Sequence, residues 1–441
     1  MLYMSSGILM DKKAKRTMTT GVPHLTTALK GPLLQLEEHL LIHQTHVETW
    51  LREQWLHTPA PFYASVDLRN AGFKLAPVDT NLFPAGFNNI NPAFMPLCIQ
   101  AAQAAVEHQC PRARRVLIVA ENHTRNLFYM ESLETLRDIF EKAGLEARIG
   151  SLRDDIVKKT IIELPSGRTC ELEPLQREGN RVGLGDFSPC LVLLNNDLSA
   201  GRPAILEGLE QQVTPPLSAG WSDRKKSDHF VHYKKVAEEF AEQIDIDPWL
   251  VSPLSLQCGE VNFMDRAGSE CLAKNVEHIL TAIQKKYDQY GIDKQPFVVV
   301  KADSGTYGMG VMMVKSADEI ANLNRRQRTK MASAKEGMTV ENVLVQEGVY
   351  TFETIGKEQA VAEPVIYMID RFVVGGFYRV HTGRGENENL NAPGMHFEPL
   401  AFAQSCITPD RQEMPDAEPN RFYAYGVIAR LALLAAAREL A

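Results

Sequence analysis

A glycine-rich segment that follows a lysine has the residue types and spacing needed to hold a polyphosphate. The apolar run Phe297–Val300 ends at Lys301, and a second apolar run covers Val311–Val314. This pattern predicts two strands joined by a loop, which is a β-hairpin. The loop contains hydroxyls and glycines that let backbone N–H groups approach a ligand closely, at Ser304, Gly305, Thr306, Gly308 and Gly310.

The spacing of these glycines excludes two other phosphate-binding loops. A P-loop has G-x-x-x-x-G-K-[ST] and a dinucleotide fold has G-x-G-x-x-G, each opening a helix, and neither spacing is present here. The glycine-rich loop is instead compatible with a lid that closes over a polyphosphate. The compact positive charge of Lys301 would then be directed at that polyphosphate. An ordinary glycine-rich hairpin explains the same residues, and the sequence leaves both interpretations open.

A second cluster of polar residues lies between Phe62 and Pro92. The runs Phe62–Val66 and Phe73–Val78 predict two short strands, and charged or amide side chains are dense around them. Cations mixed with carboxylates and amides suit recognition of a zwitterionic small molecule, which we favour over a purely looped surface. The candidate residues are Asp67, Arg69, Lys74, Asp79, Asn81, Asn88 and Asn89.

Two further groups have spacing that suits a metal. The turn-rich loop Gly383–Gly394 contains Glu388, Asn389 and Asn391. Carboxylate and amide oxygens are ligands that Mg²⁺ takes together with water and phosphate, although acidic loops without a metal are common. The other group lies on a predicted helix, Leu33–Leu56, where a solvated polar face is favoured over a metal site for His39, His43 and His46.

Strands alternate with helices around these candidate residues, and this alternation predicts an α/β protein. The strands Val116–Ala120 and Cys190–Leu194 are followed by polar residues, and the helix Leu127–Lys142 lies between them. Polar residues after parallel strands meet at the carboxyl edge of a sheet, where α/β proteins bind ligands. The residues expected there are Arg125, Asn126, Asn195 and Asn196.

The second half of the chain continues this alternation. Val343–Val349 predicts a strand that carries Gln346 and Glu347, and Ala362–Thr382 predicts two strands joined near Asp370. The stretch Tyr425–Leu440 predicts a buried helix. The basic segment Arg224–Lys226 is interpreted as solvated surface, although it could bind an acidic ligand. The segment Arg325–Glu336 is highly charged and poor in apolar residues, and is interpreted as a mobile surface segment.

Composition narrows the class of protein. The chain has 441 residues, enough for roughly two or three domains, and its net charge of −8 argues against a nucleic-acid binder. No apolar run reaches the ~20 residues that cross a bilayer. Seven scattered cysteines without CxxC spacing indicate a reducing, cytoplasmic location. Residues 1–20, in which basic residues follow an apolar patch, are expected to be a disordered start and no signal peptide.

Six segments spread over nearly the whole chain after residue 20 carry a family resemblance. They are PVDTNLFPAGFNN (77–89), ENHTRN (121–126), LLNNDLS (193–199), VVVKADSGTYGMGV (298–311), VQEGV (345–349) and GGFYRVHT with ENLNAPG (375–394). The order of the later segments resembles the ATP-grasp fold. The whole chain is similar to the proteobacterial, iron-oxidiser-type glutamate–cysteine ligase family.

The resemblance implies ATP-dependent ligation of L-glutamate, through its γ-carboxylate, to the amine of L-cysteine. This is the first step of glutathione biosynthesis, and it implies Mg²⁺, or alternatively Mn²⁺, as cofactor. The implied organisation is an N-terminal α/β substrate-binding region, 21–215, followed by an ATP-grasp-like nucleotide-binding and catalytic region, 216–441. The oligomeric state stays open, a homo-oligomer included.

The resemblance also implies roles for individual residues. Lys301 would contact the α- and β-phosphates, and Arg379 would stabilise the transferring phosphoryl group and the tetrahedral intermediate. The loop residues from Ser304 to Gly310, Tyr307 among them, would close over ATP, while Gln346, Glu347 and Glu353 would meet its adenosine. Glu388, Asn389 and Asn391 would hold the metal, although ATP-grasp proteins often place an E-x-N pair later, where this chain has none.

Other functions remain open at this point. The nearest alternative is another carboxylate–amine ligase on the same scaffold, such as a glutathione synthetase or a dipeptide ligase. A non-catalytic nucleotide-binding sensor is disfavoured because binding alone needs no arginine at the position of Arg379. A kinase is disfavoured because its lysine lies on a later strand than its glycine-rich hairpin.

Overall fold

The computed structural model describes residues 25–26, 32–122, 126–304, 310–332, 340–400 and 422–441. Its strands are β1 (Leu25–Thr26), β2 (Tyr63–Asn70), β3 (Leu75–Asn81), β4 (Arg115–Ala120), β5 (Glu146–Ser151), β6 (Thr160–Glu163), β7 (Thr169–Pro174), β8 (Gln176–Glu178), β9 (Arg181–Gly183), β10 (Leu191–Asn195), β11 (Gln212–Thr214), β12 (Ser255–Cys258), β13 (Val298–Ala302), β14 (Val311–Val314), β15 (Val343–Glu347), β16 (Thr354–Ile355), β17 (Ala360–Ile369), β18 (Phe372–His381) and β19 (His396–Pro399). Its α-helices are α1 (Pro32–Ile42), α2 (Gln44–His57), α3 (Met95–Gln109), α4 (Leu127–Lys142), α5 (Lys226–Ile244), α6 (Ser269–Tyr290), α7 (Ala317–Ala321), α8 (Arg325–Ala332) and α9 (Phe422–Leu440).

The largest sheet has seven strands and is antiparallel, with β17 at its centre. All ten residues of β17 are buried, as expected for a strand covered on both faces. The hairpin of β17 and β18 packs so closely that a Cβ atom on Gly376 would lie 2.2 Å from the carbonyl oxygen of Val365. Glycine is therefore required at that position of the strand.

Strand pairing in this sheet places four charged residues close together. Asp67 on β2 lies opposite Asp79 on β3, and Glu363 on β17 lies opposite Arg379 on β18. Because Asp67 also pairs with Val365, two residues after Glu363, these side chains share one face of the sheet. That face forms one wall of the site described below.

A smaller sheet of four antiparallel strands has the order β12-β15-β13-β14. It contains the predicted hairpin, in which Lys301 pairs with Val311 across β13 and β14. Its core is the apolar side of α6, with Val276 and Ile283 fully buried. The predictions for the two hairpin strands and for the strand carrying Gln346 are confirmed.

The third sheet is the predicted α/β element. It has the order β11-β10-β4-β5-β7-β6, and the strands are parallel except for β6. The predicted helix α4 packs on it and ends at Lys142, before Gly144 in a left-handed conformation with a φ of 90°. The carboxyl ends of β4 and β10 lie side by side, as predicted.

The last helix, α9, lies in the interior. Its residues Phe422–Ala437 are buried, and it packs against α5 and against β2 and β3 of the largest sheet. The prediction of a buried helix is confirmed, with Arg430 inside it paired to Glu48 at 2.7 Å. Helix α9 therefore joins the seven-stranded sheet to α5, whose first residue reaches the site.

Several predicted boundaries differ from the structure. The helix predicted over Leu33–Leu56 is divided into α1 and α2 near His43, and the segment Arg325–Glu336 is helical as far as Ala332. The predicted disordered start, residues 1–20, lies outside the described residues. The division at residue 215 stays a prediction, and the largest sheet contains strands from both sides of it, since β2 pairs with β17.

Candidate active site

A cleft lies between the four-stranded sheet and the charged face of the seven-stranded sheet. Its space is about 800 Å³, including the part open to solvent. The small sheet contributes Lys301, Gln346 and apolar side chains, and the large sheet contributes the charged residues. The polar lining residues are Asp67, Arg69, Asp79, Lys226, Lys301, Gln346, Glu347, Glu363, Arg379, Asn389 and Asn391.

Lys301 extends from the small sheet towards the large one. Its Nζ donates to the carbonyl oxygen of Val78 at 2.7 Å and to Oε1 of Gln346 at 2.6 Å. Burial lowers the pKa of Lys301 to about 8, although the nearby carboxylate of Asp79 acts to raise it. A buried lysine of this kind is readily recharged when an anion arrives beside it.

A second lysine reaches the same carboxylate from α5. Lys226 Nζ donates to Oδ1 of Asp79 at 2.7 Å and lies 4.2 Å from the ring centre of Trp221. Burial would raise the pKa of Asp79, but Lys226 and Lys301 outweigh it and hold the pKa at about 2. The interpretation of Arg224–Lys226 as solvated surface is wrong, because Arg224 and Lys226 are buried.

Asp303 connects the base of the hairpin to α5. Its backbone oxygen accepts from the amide of Lys226 at 2.7 Å, and its Oδ1 accepts from the amide of Ser227 at 2.7 Å. The first amides of a helix lack partners within the helix, and a carboxylate satisfies them and favours the positive end of the helix dipole. Asp303 thus fixes the relative positions of the two cleft lysines.

Arg379 lies opposite the lysines. Its Nη1 donates to Oδ2 of Asp67 at 2.9 Å and to Oε1 of Glu363, and Glu363 also accepts from Nε of Arg69 at 3.1 Å. Burial would lower the pKa of Arg379, but Asp67 and Glu363 raise it above its ordinary value. The guanidinium is therefore permanently charged and held in one orientation.

Two buried donors in the cleft have no partner among the described residues. They are Nε of Arg379 and Nε2 of Gln346. An unmade hydrogen bond of a buried donor costs about 1–3 kcal/mol, and more for a charged group. Both donors are therefore available to acceptor oxygens or nitrogens of a bound ligand.

Oxygen donors for a metal are present in the cleft. The part of the chain that the structure describes has no group of three or more His, Cys, Asp or Glu side chains that could hold a metal alone. Asp67, Asp79, Asn389 and Asn391 nevertheless line the cleft, and Mg²⁺ commonly binds one or two carboxylates together with substrate phosphates. These donors fit such an ion.

Glu388 is placed differently from the two asparagines beside it. Its carboxylate accepts from the amide of Gly385 at 2.7 Å and from Arg384 at 2.8 Å, and it does not line the cleft. The three histidines with metal-like spacing bond to other protein groups, as a polar face does. His43 bonds to the backbone of His39, and both His39 and His46 bond to residues of α5.

The hairpin residues are described only in part. Ser304 is half-buried and lies two residues after β13, and Gly310 directly precedes β14 in a left-handed conformation with a φ of 61°. A Cβ atom on Gly310 would lie 2.9 Å from that of Ala302, so glycine is needed there. The remaining predicted loop residues, Gly305, Thr306, Tyr307 and Gly308, lie outside the described residues.

Other predicted nucleotide contacts are deeper in the protein. The carboxylate of Glu347 accepts from Lys74 at 2.7 Å and from the indole of Trp249 at 3.0 Å, although Glu347 also borders the cleft. Glu353 is fully buried and accepts from the hydroxyl of Tyr425. Gln346, by contrast, presents its amide to the cleft beside Lys301.

The remaining predicted substrate residues lie at the carboxyl edge of the parallel sheet and in the adjoining loop. Asn195 donates to Tyr63 at 3.0 Å and to the carbonyl of Pro84 at 2.9 Å, and Asn196 donates to the carbonyl of Ala120 at 3.1 Å. Asn126 caps α4. Asn81 is the last residue of β3, Asn88 and Asn89 lie in the short 3-10 helix Phe87–Asn89 that follows it, and Arg125 lies outside the described residues.

The Lys74–Glu347 pair gives a stability prediction. Both side chains are 1% exposed, and burial lowers the pKa of Lys74 to about 8 despite the opposing effect of Glu347. Replacing Lys74 with methionine leaves a buried carboxylate without its cation, which costs about 3–5 kcal/mol of unfolding free energy. Urea unfolding measures this loss. Lys234→Met, at an exposed pair with Glu238, is the control and changes stability by less than about 1 kcal/mol; an equal effect of both variants contradicts the prediction.

The mixed α/β architecture, with the hairpin lysine on one sheet and Arg379 on the facing sheet, agrees with the predicted ATP-grasp-like fold. The chain belongs to the glutamate–cysteine ligase family, whose model matches residues 37–440. It is similar, at 61% sequence identity and a TM-score of 0.88, to a crystal structure from Methylobacillus flagellatus KT that bears the provisional name gamma-glutamylcysteine synthetase. The similarity covers 95% of this chain and 99% of that one.

More distant structures match with low scores. A glutathione synthetase-like effector from Globodera pallida has 10% identity and a TM-score of 0.39 over 84% of this chain and 85% of its own. D-alanyl-alanine synthetase A from Vibrio cholerae has 12% identity and a TM-score of 0.34 over 72% and 80%. No curated protein matches the chain significantly. Among the described residues, no helix is long and apolar enough to cross a membrane.

Proposed function

We propose that the protein joins the γ-carboxylate of L-glutamate to the amine of L-cysteine at the expense of ATP. The observation that carries this proposal is the family match over residues 37–440, together with a cleft that is lined by four cationic side chains. A carboxylate does not condense with an amine in water, so ATP must first convert it to an acyl phosphate. The proposed products are γ-glutamylcysteine, ADP and phosphate.

In the first step the protein neutralises the charge of the phosphates and positions the two reactants. The γ-carboxylate oxygen attacks the γ-phosphorus of ATP, and the bond from that phosphorus to the bridging oxygen breaks to release ADP. Lys301 and Lys226 contact phosphate oxygens and offset their charge, and the fixed guanidinium of Arg379 faces the transferring group. The hairpin strands β13 and β14 border the cleft, and Gln346 presents to the nucleotide an N–H that has no partner among the described residues.

The second step forms the amide bond. The amine of cysteine attacks the acyl carbon, and the tetrahedral intermediate collapses with loss of phosphate while the nitrogen loses a proton. Arg379 stabilises the oxyanion of that intermediate through its Nε, which has no partner among the described residues. No cysteine of the protein takes part in this chemistry.

A divalent cation, Mg²⁺ or Mn²⁺, would bind the cleft donors Asp79, Asn389 and Asn391 together with phosphate oxygens. When bound it neutralises the charge of the triphosphate. Glu388 could join this set only by leaving Arg384 and Gly385. The predicted substrate residues at the sheet edge, such as Asn126 and Asn196, are proposed to meet the amino acids, and the scattered free thiols support a reducing cytoplasmic location.

Phosphate release from Mg-ATP with single and paired amino acids tests the proposal. We expect release only with glutamate plus cysteine, and γ-glutamylcysteine identified by mass spectrometry as the product. Release with γ-glutamylcysteine plus glycine would instead assign the second ligation of the thiol pathway. Nucleotide binding without release for any pair would refute ligase activity.

A further inference from the structure

A buried polar cluster lies directly behind the cleft, between α5, β3 and α9. Arg224 donates to the two carboxylate oxygens of Glu439 from Nε at 2.8 Å and from Nη2 at 3.0 Å. His229 contacts Oε2 of Glu439 through Nδ1 at 3.1 Å and Oγ1 of Thr80 through Nε2 at 2.9 Å. The Arg224, His229 and Glu439 side chains are only 2%, 3% and 8% exposed.

The cluster connects two of the elements that carry cleft residues, β3 and α5. Arg224 donates from Nη1 to the carbonyl oxygen of Thr80 at 2.8 Å, and Thr80 follows Asp79 on β3. Lys226 lies between Arg224 and His229 at the beginning of α5. Because Arg224 and His229 flank Lys226 in the chain and both bind Thr80, they fix the distance between Lys226 and Asp79.

Glu439 is the anion on which these contacts depend. Burial would raise the pKa of its carboxyl, but Arg224 and His229 outweigh burial and hold that pKa at about 2. Arg224 therefore has a permanent counter-charge on α9, joined by a bidentate pair that restricts its orientation. Without Glu439, a buried guanidinium would keep only its bond to Thr80 and its contact with the ring of Trp221.

We propose that Glu439 is a positioning residue for the ligation reaction. Through Arg224 and His229 it sets β3 and the start of α5 so that Asp79 and Lys226 face the phosphates of Mg-ATP. This inference rests on the proposed function, since it takes Mg-ATP as the ligand of the cleft. Glu439 itself contacts neither the nucleotide nor the reacting atoms.

If the Arg224–Glu439 pair only stabilised the fold, its loss would not affect the cleft. A second ion pair on α9 serves as the control. Arg430 on the same helix forms a bidentate pair with Glu48, with both N–O distances at 2.7 Å and the Arg430 side chain 7% exposed. Neither residue of that pair lines the cleft, and the Glu48 side chain is 30% exposed. Loss of either pair loosens α9, but only loss of the Arg224–Glu439 pair displaces cleft residues.

The test compares Glu439→Gln with Glu48→Gln in the full chain. Calorimetry with Mg-ATP alone gives Kd, and initial rates give kcat and the KM for Mg-ATP. We expect Glu439→Gln to raise Kd about tenfold and to lower kcat/KM about 10- to 100-fold, since a misplacement of about 1 Å can cost a hundredfold. We expect Glu48→Gln to keep Kd and kcat/KM within about twofold. It should lower the melting temperature by about as much as Glu439→Gln does.

Equal effects of the two substitutions on Kd and kcat/KM would overturn the inference, and so would a Glu439→Gln protein that binds Mg-ATP normally. If Glu439→Gln does not fold, Thr80→Val removes only the hydroxyl that meets His229, and it should raise Kd about threefold. An unchanged Kd for Thr80→Val then refutes the proposal. Because Kd is measured without amino acids, a wrong substrate assignment leaves this test intact.

Discussion

Replacement of Arg379 by lysine is expected to lower kcat by about a thousandfold while the KM for Mg-ATP changes by less than about threefold. We expect the substitution to affect kcat and not KM, because Arg379 is proposed to stabilise charge that develops during the reaction. Removing one donor to a developing oxyanion commonly costs about a hundredfold to a thousandfold in kcat. A lysine retains the charge but has no planar fork, so it cannot reach Asp67, Glu363 and the ligand together.

The geometry of Arg379 makes it a preorganised donor. Nη1 is occupied by Asp67 and Glu363, and Nε is left buried without a partner among the described residues. The two carboxylates fix the plane of the guanidinium, so little reorganisation is needed when the transition state forms. Lysine at this position would satisfy the carboxylates and leave the reacting group without a donor.

Steady-state rates with saturating amino acids measure this effect, and Arg371→Lys is the control. Arg371 lies in the turn that joins β17 and β18, at the far end of the same hairpin, and its guanidinium contacts the ring of Phe372. We expect Arg371→Lys to keep kcat within about twofold. An Arg379→Lys enzyme with near-normal kcat would remove Arg379 from the chemistry.

Local patterns in the sequence were sufficient to predict most of the elements that form the cleft. The β-branched run before Lys301, the glycines after it and the second apolar run predict the hairpin of β13 and β14. The near-continuous apolar residues of β17 and β18 predict the strand pair that carries Arg379. These elements are determined by neighbouring residues, and their type is therefore readable from one sequence.

The missed residues depend on contacts between distant parts of the chain. Lys226 belongs to a basic run that is equally compatible with a solvated helix start, and only the approach of β3, about 150 residues earlier, converts it into a cleft residue. The role of Glu439 likewise depends on distant contacts, because in the sequence it is only a charged residue near the end of a helix. Charge spacing along a sequence contains no information about which sheet face a helix will meet.

Burial also decided which predicted residues reach the cleft. Lys74 and Arg69 occupy the same polar segment, yet Lys74 forms a buried pair with Glu347 while Arg69 lines the cleft. Asp67 and Arg69 lie two residues apart on β2 and therefore share the face that lines the cleft. Lys74 precedes β3, and the pairing of β3 with β2 is irregular at Val78, since Asp67 pairs with Asp79 and Leu68 with Pro77. The sequence shows no signal for this irregularity.

Replacement of Lys301 by methionine is expected to weaken Mg-ATP binding about a hundredfold and to abolish turnover. Methionine keeps most of the length of the side chain but brings no charge to the phosphates and no N–H to Val78 or Gln346. Charged hydrogen bonds in a buried site are worth about 1.5–3 kcal/mol, which corresponds to roughly a tenfold to hundredfold change in Kd. Lys315→Met, at an exposed lysine just after β14, should leave Kd within about twofold.

We expect the pH dependence of Mg-ATP binding to follow the titration of Lys301. In the free protein its pKa is about 8, so above pH 8 it is mostly neutral, whereas phosphates bound beside it favour the charged form and raise the pKa. Mg-ATP binding at pH 9 should therefore take up nearly one proton, and affinity should fall as the pH rises above 8. Calorimetry in two buffers of different ionisation enthalpy measures the uptake. The Lys301→Met protein should lose it, and an undiminished uptake in that variant would assign the proton to another group and leave Lys301 without contact to the phosphates.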